Sequence, residues 1–205
     1  MAWLTFKLGR PGAEVEFTVN PAGMDVDESP IAGRRRNIAG DLKKSVVKSS
    51  APTVRINSNY LSLTQRNQFA SMAGYNDTLL SFMVRDDLQI VLEKNLPTDV
   101  NTVVVQNNSA TRLAAALVAA GAAGSITVTG VFTTTDGSGT NYFTGGSYAE
   151  ATRTITLGTP LADAAVPVYV TYTYKGWLVD MERITTRSEG GWVDRFTYDF
   201  SLVGA

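Results

Sequence analysis

The chain has 205 residues and a net charge of −1, is 44% hydrophobic and 18% charged, and contains neither cysteine nor histidine. These missing residue types exclude disulfides, thiolate or serine–histidine nucleophiles and the usual zinc ligand sets, so we expect no catalysis, no cofactor and no metal. The length accommodates one domain, or one domain with a smaller insertion. The near-zero net charge provides no overall field to recruit nucleic acid or an anionic membrane.

The N-terminal segment alternates apolar and polar residues at positions 3–8, which is the period of a β-strand. It lacks the basic stretch followed by an apolar core that marks a signal peptide. The most apolar stretch, residues 113–123, is far shorter than the ~20 residues needed to cross a bilayer. We therefore expect no membrane association and assembly in the cytoplasm.

The next elements also have the pattern of strands. After a turn at residues 9–12, alternation through Val15, Phe17 and Val19 predicts a second strand. Residues 21–30, rich in proline, glycine and acidic residues, are predicted to be a polar loop. Residues 34–38 and 40–47 predict a hairpin with a polar, basic face, and residues 52–57 predict another strand.

From residue 62 the apolar period becomes helical, through Leu63, Phe69 and Met72, and predicts a helix of about three turns. Residues 79–84 and 88–92 predict two strands joined at Arg85-Asp86-Asp87. The amino-acid composition changes at Pro97: residues 98–173 have few charges and many threonines, valines, alanines and glycines. Within them, residues 111–122 are either a short helix or a strand followed by an Ala-rich loop.

Closely spaced turns in residues 97–173 predict a small β-sandwich. After Gly176 the composition again resembles that of residues 1–96. Two segments with alternating apolar and polar residues predict strands that would complete the sheet begun near the N-terminus. We therefore predict a host domain formed by residues 1–96 and 174–205, and an inserted β-sandwich domain formed by residues 97–173. Insertion at a loop is tolerated because the cost of loop closure rises slowly with loop length.

Several segments carry a resemblance to a known family: SLTQRNQF at 62–69, GWLVDM at 176–181, and the stretch from GW at 191–192 to FSL at 200–202. With the order of the elements, they are similar to the tail-tube fold of long-tailed bacteriophages. Tail-terminator, distal-tail and baseplate-hub adaptor proteins share this fold, including the "ripcord" type of contractile tails. The segments GTNYFTGG at 139–146, ITL at 155–157 and VYVTY at 168–172 resemble β-sandwich decorations of phage structural proteins.

The resemblance implies a mainly β protein, with a tail-tube-like β-sandwich or barrel, one short helix and the inserted small β-sandwich domain. It implies a structural component of the virion tail or baseplate, assembled in the host cytoplasm as a ring that links the tail tube to the hub or tip. Its partners would be its own copies and the neighbouring tail-tube and baseplate-hub proteins, with DNA passing passively through the lumen. The alternative is a carbohydrate- or receptor-binding β-sandwich module on the same particle.

Two charged clusters are candidate contact sites. A basic cluster is formed by Arg34, Arg35, Arg36, Lys43 and Lys44. We favour a contact with a neighbouring subunit for it, and the alternatives are a solvated hairpin face and a contact with DNA in the lumen. An acidic cluster is formed by Asp25, Asp27 and Glu28. It is either the counterpart of the basic cluster on the next subunit or an ordinary polar loop.

Three further hypotheses concern catalysis, calcium binding and sugar binding. Asp25 and Asp27 could act as a carboxylate pair, but a glycosidase needs two carboxylates placed across a cleft. Residues 136–141 carry oxygen-bearing side chains at alternate positions, as a calcium loop does, although a hairpin tip explains them equally well. The aromatic residues of the insertion could line a sugar-binding face, while their alternation favours core positions or cross-strand pairs: Tyr142, Phe143, Tyr148, Tyr169, Tyr172 and Tyr174.

Overall fold

The structure is a computed structural model that describes residues 4–19, 21–27, 31–36, 42–48, 52–73, 78–188 and 196–205. It is mainly β, with antiparallel sheets, as the sequence predicted. The chain divides into two compact units, residues 1–82 with 177–205 (unit 1) and residues 83–176 (unit 2). The prediction that residues 97–173 form an inserted domain stays a prediction.

The helices and strands follow one another along the chain in this order: β1 (Leu4–Arg10), β2 (Ala13–Val19), β3 (Pro21–Asp27), β4 (Ile31–Arg36), β5 (Leu42–Lys48), β6 (Thr53–Leu61), α1 (Leu63–Ala73), β7 (Leu80–Asn95), β8 (Thr102–Val104), α2 (Ser109–Ala119), β9 (Ile126–Phe132), β10 (Ser147–Ala149), β11 (Thr154–Thr156), β12 (Val168–Ser188) and β13 (Phe196–Gly204).

The main sheet has the strand order β2-β1-β7-β12-β13-β6-β3, so β2 and β3 are its two end strands. Among the described strands this sheet does not close into a barrel. The barrel form of the expected fold is therefore not found among the described strands, where β2 and β3 each pair on one side only.

The core of unit 1 is a cluster of aromatic rings contributed by strands and by helix α1. Phe69 of α1 stacks on Phe17 of β2 with ring centroids 4.3 Å apart, and it also contacts Phe200 of β13 at 5.2 Å. Trp177 lies parallel to Phe82, at 6.1 Å. All five side chains are at most 3% exposed. Burial of rings of this size is the dominant favourable term holding α1 on the sheet.

The helix predicted after Ser62 is confirmed. The backbone N–H of Gln65 donates to the hydroxyl of Ser62 at 3.3 Å, while the N–H of Ser62 donates to the Gln65 amide oxygen at 3.0 Å. This reciprocal arrangement satisfies N–H groups that have no partner inside the first turn of a helix.

Two predictions about strands are wrong. Residues 21–27 form strand β3 and not a polar loop: they pair with β6 in a register that sets Met24 opposite Ile56 and Val26 opposite Val54. The hairpin predicted at 79–92 is a single 16-residue strand, β7. In both places the pairing with a neighbouring strand overrides the local preference of proline, glycine and aspartate for turns.

Unit 2 contains the second helix, α2, which resolves the ambiguity at residues 111–122 in favour of a helix. Among the described residues there are two helices, α1 and α2. Strand β9 pairs with β12, and a separate three-stranded sheet has the order β10-β11-β8. Neither helix is long and apolar enough to span a membrane.

Candidate functional site

The predicted hairpin of basic residues is present in the backbone. Strands β4 and β5 pair antiparallel, with Arg34 opposite Lys44 and Arg35 opposite Lys43, and form a two-stranded sheet of their own. We call residues 31–48 the basic hairpin; its turn, residues 37–41, lies outside the described residues. The segment has six lysines and arginines and one aspartate, so the rest of the chain carries a net charge of −6.

This arrangement is unfavourable for an isolated hairpin. Residues of like charge at directly paired positions destabilise an antiparallel pair, and here they occupy two consecutive positions. A two-stranded sheet is in addition marginally stable on its own in water. Within the described part of the chain no third strand pairs with β4 or β5. A partner of opposite charge would relieve both costs.

The acidic candidates lie on an end strand of the main sheet. Asp25 and Asp27 belong to β3, are exposed, and stand in register opposite Arg55 and Thr53 of β6. Glu28 lies outside the described residues. Because Asp25 and Asp27 are two positions apart on one strand, they share one face of it and do not flank a cleft as a glycosidase pair does. We call residues 21–27 the β3 edge.

The most connected polar group in unit 2 is one that the sequence did not single out, the carboxylate of Glu93. One oxygen, Oε2, accepts from the Tyr172 hydroxyl at 2.8 Å and from Nδ2 of Asn108 at 3.3 Å. The other, Oε1, accepts from the backbone N–H of Gln106 and from Nδ2 of Asn95, both at 3.0 Å. We call these five residues the Glu93 network.

The Glu93 network also holds the start of helix α2. Oδ1 of Asn108 accepts from the backbone N–H of Thr111 at 3.0 Å, and the N–H of Asn108 donates to the Thr111 hydroxyl at 3.1 Å. The Asn108 amide donates in turn to the Tyr172 hydroxyl at 2.9 Å. Burial, followed by the nearby Glu93 carboxylate, raises the pKa of Tyr172, which keeps its proton for the bond to Glu93. Tyr172 and Asn108 are buried and Glu93 is half-buried, and the network ties β7, α2 and β12 together.

A second carboxylate of unit 2, that of Glu150, lies against backbone. Its Oε1 accepts from the N–H of Ile126 at 3.0 Å, and the carboxylate occupies the space where a Cβ on Gly124 would stand. Burial raises the pKa of Glu150. In the part of the chain that the structure describes, two buried hydroxyls have no hydrogen-bond partner, those of Tyr148 and Ser125.

The calcium and sugar hypotheses gain no support from the geometry. Asp136 accepts from both the N–H and the hydroxyl of Ser138, at 3.0 and 2.7 Å, and these bonds lower the pKa of its carboxyl. The loop is thus closed on itself as a turn, and the described residues contain no group of three acidic side chains that could hold a metal ion. Tyr172 and Tyr174 are buried, and Tyr169 stands in register opposite Phe132.

Comparison with protein-family models, with curated proteins and with solved structures finds no match to this chain.

Proposed function

We propose that the protein is a structural component of a phage virion tail or baseplate, and that its copies form a ring linking the tail tube to the hub or tip. One observation carries the proposal: among the described strands the main sheet ends in β2 and β3, each paired on one side only, and a separate two-stranded hairpin rich in basic residues follows β3 along the chain. The resemblance of segments 62–69, 176–181 and 191–202 to the tail-tube fold supports the same role.

Open edges explain why a ring suits this sheet. An end strand presents unpaired N–H and C=O groups to solvent and pairs readily with another chain, which makes it a risk for uncontrolled aggregation. A closed ring uses each such surface once per subunit and leaves none exposed at the ends. Proteins without such partners usually protect their edges with short strands, prolines or bulges. Strand β2 has neither a proline nor a bulge, since it is seven residues long and pairs in unbroken register with β1, whereas β3 begins at Pro21 and has a register shift between Pro21 and Gly23.

The receptor-binding alternative is favoured by a different observation, an apolar surface in unit 2. The bridge between Pro97 and Val103 places Leu96 opposite Val104 in register, and these side chains are 70% and 37% exposed. An exposed pair of this kind, on a unit with few charges, is a contact surface for a protein receptor and not for a sugar, because no aromatic side chain stands in that row.

Light scattering coupled to size-exclusion chromatography, followed by negative-stain electron microscopy of the purified chain, tests the ring. We expect particles of a single copy number with a central hole. A chain that stays monomeric at a concentration of about 100 µM, well above the micromolar range of typical weak assemblies, contradicts the proposal. Electron microscopy of native particles would then locate the chain and show whether unit 2 faces outward, as the receptor-binding alternative requires.

A further inference from the structure

We propose that Leu96 of one copy inserts into a groove beside helix α1 of a second copy, in a head-to-tail contact. This inference deepens the proposed ring function and rests on it for its setting. It names the inserted side chain, the surface that receives it and the partner, a second copy of this chain.

The receiving surface is a groove of about 120 Å³ in unit 1, between helix α1 and the turn that joins β1 to β2. Its apolar lining consists of Ala13, Val15 and Met72. A cavity of about 150 Å³ holds one benzene molecule, so this groove has room for one branched aliphatic side chain. We call it the α1 groove. Its polar lining consists of Arg10, Gln68 and Ser71.

Leu96 is the side chain that fits this space. It is 70% exposed, more than any other large apolar side chain in the part of the chain that the structure describes. It stands opposite Val104, so the surface around it is apolar as well. Removing a leucine from water into a fitted pocket is the kind of contact that dominates the binding energy of an interface.

The charges beside the two surfaces are of opposite sign. Asp99 follows Leu96 by three residues and is exposed, and its carboxylate accepts from the backbone N–H of Asn101 at 2.6 Å. Arg10 lines the α1 groove and pairs in register with Ala13. Because a guanidinium has five N–H donors, Arg10 can bind a carboxylate of another copy in addition to the interactions that it makes within its own chain.

The apolar and charged groups have similar spacings on the two surfaces. Three residues separate Leu96 from Asp99 and also Arg10 from Ala13, so each pair of Cα atoms lies at most about 11 Å apart. An apolar side chain with an acidic group beside it therefore matches an apolar groove with a cation beside it. Every copy carries both surfaces, and because they are different patches the contact is heterologous. Such contacts generate rings when the rotation between copies closes.

Two variants of the full chain each change one surface, and each has a matched control. Leu96→Ala removes the inserted side chain, and its control is Val118→Ala, which shortens an exposed valine of helix α2. Ser71→Phe fills the α1 groove from an exposed position of α1. Its control is Ala70→Phe, at the preceding exposed position of the same helix, which does not line the groove. Circular dichroism verifies folding.

Sedimentation velocity measures self-association of these variants. We expect Leu96→Ala and Ser71→Phe each to weaken association about tenfold or more, because both remove an anchor from its pocket, and we expect the controls to leave it unchanged. At a salt concentration of about 50 mM, Arg10→Glu and Asp99→Lys should each weaken association as well. A chain that carries both charge changes should recover part of the loss, since the facing charges are again opposite.

The chain contains no cysteine, so introduced thiols report the contact directly. A mixture of Leu96→Cys and Ser71→Cys chains should form mixed disulfide dimers under mild oxidation faster than a mixture of Leu96→Cys and Ala70→Cys chains. The reason is that a disulfide requires Cα atoms within about 7 Å and Cβ atoms that point toward each other. Equal rates would show that Leu96 does not enter the α1 groove and would overturn the proposal.

The outcomes separate the contact from the ring. If the two contact variants associate as strongly as their controls, the contact is wrong while the ring proposal stands on another surface. If the natural chain forms open chains that the variants abolish, the ring is wrong and the contact stands. A natural chain that remains monomeric at about 100 µM overturns both. If Leu96→Ala leaves association unchanged but reduces adsorption of particles to host cells, the occupant is a receptor and the proposal is overturned.

Discussion

Replacing Glu93 by glutamine changes one carboxylate oxygen into an N–H₂ group at the centre of the Glu93 network. Both oxygens of Glu93 accept hydrogen bonds, Oε2 from Tyr172 and Asn108 and Oε1 from Gln106 and Asn95. Whichever way the new amide turns, its nitrogen faces two groups that were donating to an oxygen. The substitution therefore preserves the shape of the side chain while setting donors against donors.

The expected loss of stability follows from these hydrogen bonds. A hydrogen bond to a charged group contributes about 1.5–3 kcal/mol, and a buried donor left without an acceptor costs about 1–3 kcal/mol. The Tyr172 hydroxyl can rotate to accept from the new amide, which recovers one bond. We expect Glu93→Gln to lower the free energy of unfolding by about 2–4 kcal/mol.

Urea unfolding followed by circular dichroism measures this loss, and hydrogen exchange of the α2 amides shows whether it is felt at the helix that Asn108 caps. Lys94→Gln is the control, since that exposed neighbour should change stability by no more than about 0.5 kcal/mol. In a Tyr172→Phe background the cost of Glu93→Gln should fall by at least about 0.5 kcal/mol, because the two residues share a bond. An effect of Glu93→Gln no larger than that of Lys94→Gln would refute the reasoning.

Three more outcomes are expected. Gly158→Ala should cost about 1–3 kcal/mol in a urea titration, because its Cβ would meet the backbone carbonyl of Thr144, and a cost under about 0.5 kcal/mol would contradict this. Because burial places the folded-state pKa of Glu150 above its unfolded value, this carboxyl contributes stability at low pH and loses it as pH rises through the folded pKa. Glu150→Gln, which keeps an acceptor for Ile126, should therefore be as stable as the natural chain or more so at pH 8, by less than about 1 kcal/mol; lower stability there would contradict this. Replacing residues 97–166 with a short Gly-Ser turn, which joins the neighbouring strands β7 and β12, should leave the fluorescence of buried Trp177 blue-shifted, and loss of cooperative unfolding would show that the predicted domain division is wrong.

Strands with strict alternation were predictable because the side-chain period of two is a direct consequence of the extended backbone. Phe6 and Leu8 on β1 and Phe17 on β2 are buried as their alternation indicated. The β3 edge was not predictable, since its proline, glycine and aspartates favour a turn, and only the neighbouring β6 reveals that a strand is formed. Arg85-Asp86-Asp87 also favours a turn by its residue types, yet these residues lie within the continuous strand β7.

The Glu93 network left no trace in the sequence for a related reason. Its members are distributed over residues 93–108 and Tyr172, and no spacing rule connects a strand carboxylate to a tyrosine 79 positions later. A signal did exist for part of it: Asn108 and Thr111 have the spacing of a capping box, which would have placed the start of α2 and excluded the strand alternative. Local motifs of this kind are readable because both partners lie within one helical turn.

In the basic hairpin, the charge of the residues and the register of the two strands together indicate an energetic cost that neither indicates alone. Its residues indicated a basic surface, and several occupants were open. The register adds that cations stand opposite cations at two paired positions, so the hairpin is less stable by itself than a hairpin with mixed charges. A partner with acidic side chains would offset this cost more fully than solvent does, which favours the predicted contact with a neighbouring subunit over a solvated face.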